Sequence, residues 1–305
     1  RDLVRSRGLG DVYKRQHIWS RLSKTAYHRI KRIFCMKYAI VKSVYARLYN
    51  EDGTETVDDV FSGWMVMPDD AAHNNMMRVV TWYGYTGYIL TDDIRILSKE
   101  EFTRWTGGLC IVRESYVDVL DAPDVRADRI GSLIKGSFVK VLKECKEGWT
   151  LIKQADGASG YIRSAYIVKR RMAYGDEQTV RRGIVSAAMS YYGVQYRWGG
   201  KSSLGMDCSG LAFMSYMFNG IIIYRDAQIN PEYPVKNITC RQLEMGDLIY
   251  WPGHVAIYIG NCRYIHATAA FDTPYVTVNS LNPCDDCYRD DLAKGITACG
   301  SFYAY

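Results

Sequence analysis

The sequence predicts an α+β protein in which two small β-barrels precede a unit that mixes helices with an antiparallel sheet. Three observations carry that prediction. Positions 36–169 are filled by short runs of alternating apolar and polar residues, the period-2 pattern of half-buried strands. Those runs fall into two stretches that close alike, with Gly87-Tyr88-Ile89-Leu90 in the first and Gly160-Tyr161-Ile162-Arg163 in the second, as a duplicated unit does. After residue 176 the period changes: apolar residues at helical spacing come first and strands follow, the order of an α+β domain.

Residues 1–35 stand apart from this pattern. The chain has 305 residues and a formal net charge of +6, yet residues 1–35 hold ten Lys or Arg against only Asp2 and Asp11. That stretch alone carries +8, so residues 36–305 carry −2. Nucleic-acid binding needs a basic footprint on the folded body, and none is there. The stretch has no sustained apolar period, and Asp11-Val12-Tyr13-Lys14-Arg15-Gln16 resembles a translated sequencing adapter. Met36 then opens a clean strand pattern, Lys37–Val41. Residues 1–35 are therefore expected to be a non-native or disordered extension; the alternative is a basic arm that touches membrane or nucleic acid.

Neither Arg1 nor Met36 leads into the apolar run of a secretory signal, and no stretch approaches the ~20 apolar residues of a membrane span. The expectation is no membrane insertion, a cytoplasmic location and a monomer, with secretion as the alternative if the true N-terminus is missing. Nine cysteines, an odd number in a long chain, point to mostly reduced thiols. Cys284-Asp-Asp-Cys287 is a single CxxC. Cys262, Cys299 or His266 would have to complete a four-ligand zinc site, and no spacing calls for it, so neither metal nor cofactor is expected.

The first barrel is placed at 36–97, with strands Val44–Leu48, Trp64–Met67, Met77–Trp82 and Tyr88–Leu90, and turns at Asn50–Gly53 and Pro68–Asp70. A short connector, Ser98–Gly108, follows. The second barrel is placed at 115–169, with strands Tyr116–Leu120, Phe138–Glu144, Trp149–Lys153 and Gly160–Ile162. The third unit, 176–305, opens with a helix over Val180–Tyr192. A second helix runs from Cys208 to Phe218, with Leu211, Met214, Ser215 and Phe218 on one face. Strands Asp247–Trp251, His254–Gly260 and Arg263–Ala267 come next, with Gly260-Asn261 as the hairpin signal.

The chemistry is concentrated in this third unit. Gly205-Met206-Asp207-Cys208-Ser209-Gly210 is a glycine-bracketed turn that leads into a helix. A cysteine at a helix N-terminus faces the positive end of the dipole, which favours thiolate, and the free amides there can hold an oxyanion. Only three histidines follow residue 36: His73 in a polar loop, and His254 and His266 on consecutive hairpin strands. Across a hairpin those two can be near-opposite neighbours, one activating the thiol and the other orienting it. Each alone has a bland reading as a packed residue; together they form a nucleophile, a base and an orienter.

Tyr196-Arg-Trp-Gly-Gly-Lys-Ser-Ser-Leu-Gly-Met-Asp-Cys208-Ser-Gly-Leu211 resembles the signature of the NlpC/P60 cysteine peptidases. So do Leu243–Trp251, Gly253–Gly260 and Tyr264-Ile265-His266-Ala267, and the resemblance spans nearly the whole third unit. It implies a papain-like α+β catalytic domain, with Cys208 as nucleophile, His254 as base and His266 as orienting residue. Tyr196 is implied to sit beside the thiol and oxyanion, with aromatic packing as its other use. Asp207 and Ser209 are implied to contact substrate, although Asp207 also suits a helix cap.

With two SH3-like barrels ahead of it, the layout resembles the γ-D-glutamyl-L-diamino acid endopeptidases of cell-wall peptide recycling. There the first barrel closes one side of the cleft, so that only peptides with a free N-terminal L-Ala fit. An acid after the nucleophile helix binds the ammonium. Tyr224-Arg225-Asp226-Ala227 matches that segment, which makes Asp226 the implied ammonium partner and Arg225 its neighbour at the substrate. Tyr85 and Asp59 are the implied contributions of the first barrel. The implied partners are peptidoglycan-derived peptides. A wall-binding module with a dead peptidase domain and a papain-like acyltransferase are the rivals. There is no G-x-S-x-G elbow for a serine hydrolase, and Gly199-Gly-Lys-Ser202 fails as a P-loop because Gln195 stands where its first glycine belongs.

Overall fold

The computed structural model describes residues 37–69, 74–170 and 176–304; the extension at 1–35 and His73 lie outside the described residues. The first sheet has seven strands: β1 (Tyr38–Val41), β2 (Tyr45–Tyr49), β3 (Thr56–Phe61), β4 (Met65–Pro68), β5 (Met76–Thr81), β6 (Thr86–Leu90) and β7 (Ile94–Leu97). The second has β8 (Leu109–Val112), β9 (Tyr116–Leu120), β10 (Arg129–Ile134), β11 (Phe138–Glu144), β12 (Trp149–Lys153), β13 (Ser159–Arg163) and β14 (Ile167–Lys169). Strand order is β3-β2-β6-β5-β4-β1-β7 in one and β10-β9-β13-β12-β11-β8-β14 in the other, so the second sheet repeats the first strand for strand. β8 opens the second sheet ahead of the boundary expected at 115. Its four residues are all buried, and a continuous apolar run shows no alternation to read.

The expected connector is a helix, α1 (Lys99–Thr106), started by a capping box between Ser98 and Glu101. Its Trp105 Nε1 donates to the Gly63 carbonyl at 2.9 Å. Gly63 is where the two sheets meet. Its φ is +81°, and a Cβ there would lie 2.2 Å from the Phe138 carbonyl oxygen. The Phe138 amide donates to Ser62 O and Trp64 Nε1 to Gly136 O, both at 2.8 Å.

The third unit contains α2 (Glu177–Met189), a two-residue pair β15 (Lys201–Ser202) and β16 (Gly205–Met206), and α3 (Cys208–Met217). A six-stranded antiparallel sheet follows: β17 (Lys236–Ile238), β18 (Leu248–Trp251), β19 (His254–Gly260), β20 (Arg263–Ala267), β21 (Val276–Ser280) and β22 (Ala298–Ser301), ordered β17-β22-β18-β19-β20-β21. A short helix, α4 (Asp290–Lys294), lies in the tail before β22. The β19–β20 turn is shifted one residue from the expected Gly260-Asn261. Gly260 pairs with Arg263, and the two central residues, Asn261 and Cys262, have φ of +51° and +58°.

The one-faced amphipathic pattern expected of α3 is not what forms, since all ten residues are buried. The helix is wedged between the sheet and the first two units: Phe213 packs on Tyr83 with ring centroids 4.8 Å apart, and Met214 reaches Gly136. A helix apolar on every side belongs in an interior. One continuous hydrophobic core accordingly joins the first unit to α2, α3 and the inner face of the sheet and takes in Leu109, Ile111, Ile134, Phe138 and Ala155 of the second unit, which also keeps a smaller core of its own. The outer face of the sheet, with Ile249, Trp251, Ala256 and Tyr264, is covered by Leu281, Leu292 and Ile296 of the tail.

Six of the described cysteines are free thiols, in line with the expectation of mostly reduced thiols, and one pair is the exception. Cys240 and Cys299 form a disulfide that ties the turn after β17 to β22 across 59 residues. Nothing in their spacing announces the pair, because it is β22 returning between β17 and β18 that brings them together. Cys299 is thereby removed from any metal-ligand set.

Candidate active site

The N-terminus of α3 is assembled from the turn before it. Asp207 has extended backbone, φ −94° and ψ 176°, and its Oδ1 accepts the Gly210 amide at 2.6 Å. Asp207 therefore caps the helix, the other use expected of it. Gly210 is required because a Cβ there would lie 2.2 Å from the Gly200 carbonyl oxygen. Cys208, the first residue of the helix, is 7 % exposed.

The backbone amides of Val255 and Ser209 point at the Cys208 sulfur and favour thiolate. Burial is the larger effect and, with the Asp207 carboxylate beside it, pushes the thiol up to about 11. The lowered thiol expected of a helix N-terminus is therefore reversed: the dipole is present, but desolvation and a neighbouring anion outweigh it. Val255 also fixes the site's geometry, because it follows His254 directly at the start of β19.

Pro252 and Gly253 turn β18 into β19, with Trp251 paired to His254 and Gly253 at φ +68°. His254 Nε2 lies 2.8 Å from His266 Nδ1 on β20, and His266 Nε2 lies 2.9 Å from Asn279 Oδ1 on β21. Burial holds both imidazoles well below the ordinary histidine range; the neighbouring His266 adds to the effect on His254. The structure thus sets Cys208 against the start of β19, next to His254 in the chain, and sets His254 against His266. Tyr196 joins them: burial first, then the nearby Cys208 and Asp207, pushes its phenol up to about 12.

Near neutral pH the thiol and both imidazoles are uncharged. The thiolate fraction therefore grows tenfold with each pH unit up to about 11. Carbamidomethylation of Cys208 by iodoacetamide, followed by peptide mass spectrometry, is expected to accelerate throughout pH 6–10. A rate already level at pH 6 would instead reveal a preformed thiolate–imidazolium pair and contradict this reading.

The remaining residues divide into two groups. Tyr85, on the turn before β6, donates its hydroxyl to Asp226 Oδ1 at 3.0 Å, so two residues each expected at the substrate, from different units, are in contact. Both side chains are only partly buried. Asp59 and Arg225, expected at substrate, are instead enclosed, and their charges are used in ion pairs. Asp59 is fully buried on β3 and bonds Arg197. Arg225, 2 % exposed, bridges Asp58 Oδ1 through Nε at 2.6 Å and Asp207 Oδ2 through Nη2 at 3.0 Å. Its Nη1 donates to Ser209 Oγ at 2.7 Å, so the Ser209 hydroxyl is likewise committed within the protein.

Asp58 is the partner the sequence did not suggest. It also binds Lys201 Nζ at 2.7 Å and the Tyr83 hydroxyl. Burial raises the Asp58 carboxyl, but Lys201 and Arg225 outweigh it and hold it below the usual range; burial lowers Lys201 to about 8. Asn279 was also missed, since an asparagine on a strand carries no motif; its diagonal position from His266 across β20 and β21 is visible only with register in hand.

With this geometry in place, comparison with known proteins gives consistent matches. Residues 193–282 match the NlpC/P60 family and residues 115–168 match the bacterial SH3 domain. The chain is 37% identical over 271 residues to dipeptidyl-peptidase 6 of Lysinibacillus sphaericus, covering 87% of this chain and 99% of that protein. It is 33% identical over 95 residues to the gamma-D-glutamyl-L-lysine dipeptidyl-peptidase of Bacillus cereus, 28% of either chain. A crystal structure of an NlpC/P60 family protein from Bacillus cereus shares the fold with a TM-score of 0.71 at 17% identity, over 86% of this chain and 98% of that one.

Proposed function

The chain belongs to the NlpC/P60 family, and from that premise we propose that it is a cysteine endopeptidase cutting the γ-D-glutamyl–diamino acid bond of peptidoglycan stem peptides with a free N-terminal L-Ala. The observation that carries this reading is the Cys208 thiol at a capped helix start, beside the strand that presents His254 hydrogen-bonded to His266. Cys208 attacks the γ-carbonyl of D-Glu as His254 takes the thiol proton, and amides at the start of α3 support the oxyanion. His254 then protonates the departing amine and later activates the water that hydrolyses the acyl-enzyme. Tyr196 stands beside the oxyanion.

The amine end is read by Asp226 and Tyr85. The Tyr85 hydroxyl occupies Oδ1 of Asp226, so the carboxylate is oriented and an ammonium can be drawn to it. Because Tyr85 comes from the first unit, that unit is part of the site; we take it to be a second SH3-like barrel, since it repeats the strand order of the unit that matches the bacterial SH3 domain. The relatives' names, a dipeptidyl-peptidase and a gamma-D-glutamyl-L-lysine dipeptidyl-peptidase, support the same bond class. The Cys240–Cys299 bridge suits the exported alternative, because such bonds persist in oxidising compartments, while the six free cysteines among the described residues suit the cytoplasmic reading.

The test is mass-spectrometric detection of L-Ala-D-Glu released from L-Ala-γ-D-Glu-diaminopimelate, its lysine analogue and their N-acetylated twins. Only the free-amine peptides are expected to be cut, and Asp226→Asn is expected to lower kcat/KM for them by about 10-fold or more, the loss of a charge-assisted contact. Equal cutting of acetylated and free peptides would remove the amine gate. No cutting of any would shift the reading to a wall-binding module or an acyltransferase.

A further inference from the structure

Beyond the two histidines, the hydrogen bonds run on in one direction. Asn279 Nδ2 donates to the Cys287 carbonyl at 2.9 Å. A carbonyl only accepts, so this bond fixes which end of the amide faces the other way, and Oδ1 is left toward His266. Oδ1 accepts as well, so His266 Nε2, 2.9 Å away, must carry the proton. His266 Nδ1 is then bare and accepts from His254 Nε2 at 2.8 Å. His254 therefore keeps its proton on Nε2 and has an empty Nδ1. Each ring's tautomer is set by the bond its other nitrogen makes.

We propose that Asn279 is a positioning residue which, anchored by the Cys287 carbonyl of the tail, sets the tautomer that leaves His254 Nδ1 free to accept the Cys208 proton. This rests on the peptidase reading above. It gives the tail a part in the site: the turn holding Cys284 and Cys287 presents the carbonyl from which the polarity of the whole chain begins. The Cys287 carbonyl is itself held, since it also accepts the Ser280 amide at 3.0 Å. Without an acceptor at position 279, His266 has no reason to keep its proton on Nε2. Were it to move to Nδ1, His266 would donate to His254 Nε2, and the His254 proton would sit on Nδ1 and block proton acceptance.

Two variants separate positioning from packing. Asn279→Leu keeps the bulk and removes the acceptor. Asn279→Asp keeps the acceptor and adds a negative charge. The charged groups facing the pair are Arg289 and Asp291 of the tail. The rings of Trp251 and Tyr264 wall it from β18 and β20.

The readout is the two-bond 1H–15N spectrum of protein labelled with 15N-histidine, which reports tautomers without any substrate, together with peptide kinetics and thermal melting. Wild type is expected to show His254 and His266 both protonated on Nε2. Asn279→Leu is expected to move or mix both tautomers and to lower kcat by 10-fold or more with KM within twofold. Asn279→Asp is expected to keep both tautomers and to move the acid limb of the pH profile up by at least half a unit, because a carboxylate favours the imidazolium. His254 protonated on Nδ1 in the wild type would overturn the proposal, as would unchanged tautomers and kcat in Asn279→Leu. If that variant fails to fold, the wild-type spectrum and Asn279→Asp still decide. A protein with the expected tautomers that cuts no peptide would sink the peptidase reading and leave the relay standing.

Discussion

Cys208→Ala is expected to lower peptide turnover by about 10⁴-fold or more while leaving the melting temperature nearly unchanged. The size follows from the way a nucleophile and its base act as one unit: removing either loses nearly all of their joint contribution. Preservation of the fold follows from what the side chain does. The thiol is buried and its polar contacts are the backbone amides of Val255 and Ser209, both from main chain already fixed by β19 and α3. Asp207, not Cys208, caps the helix, so the cap survives the change. Alanine removes one sulfur from a packed position, for which a loss of order 1 kcal/mol is reasonable. The measurement is single-turnover release of dipeptide beside circular-dichroism melting. Turnover within tenfold of wild type would show that another group attacks the carbonyl. Loss of turnover together with unfolding would be uninformative for Ala, and Cys208→Ser, nearly isosteric, would then take its place and is expected to be equally inactive.

The residues proposed to do the chemistry were legible because chemistry demands types at spacings. A cysteine between Asp207 and Ser209 at a helix start, and two histidines across a hairpin, can be found with no partner in view. Strands with clear alternation were legible for the same local reason: β9, β11, β12, β19 and β20 lie where their patterns place them. The failures share the opposite cause. β3 contains Asp58 and Asp59, of which only Asp59 was singled out, as a substrate contact; both are buried because Lys201, Arg225 and Arg197 arrive from another unit. β8 is short and wholly apolar, with no alternation to detect. The Cys240–Cys299 bridge depends on the order of strands, and Asn279 depends on register. The direction of the thiol shift was misjudged because the helix dipole is a local property, whereas burial and the charge on Asp207 emerge only once three units close around α3.

Arg225→Met is the substitution in which that closure should be most visible. The guanidinium lies between a carboxylate of the first unit, Asp58, and the N-cap of the nucleophile helix, Asp207, and it is 2 % exposed. Methionine approximates its bulk, so the expected loss is electrostatic: two buried carboxylates are deprived of a counter-ion. Breaking a buried ion pair by removing one partner typically costs about 3–5 kcal/mol, a large share of the roughly 5–15 kcal/mol that stabilises a folded protein. Asp58 retains Lys201 at 2.7 Å, whereas Asp207 retains only neutral donors, so the damage falls mainly at the start of α3. There it has a second consequence. Arg225 favours the Cys208 thiolate and Asp207 opposes it, so losing the guanidinium should raise the thiol further and slow its alkylation at neutral pH. Urea titration of Arg225→Met, Asp58→Asn and the double variant tests the account. The double variant is expected to lose clearly less than the sum of the two singles, because the two residues share one interaction. Strict additivity, or a loss in Arg225→Met below about 1 kcal/mol, would mean that the first unit rests against the nucleophile helix without holding it electrostatically.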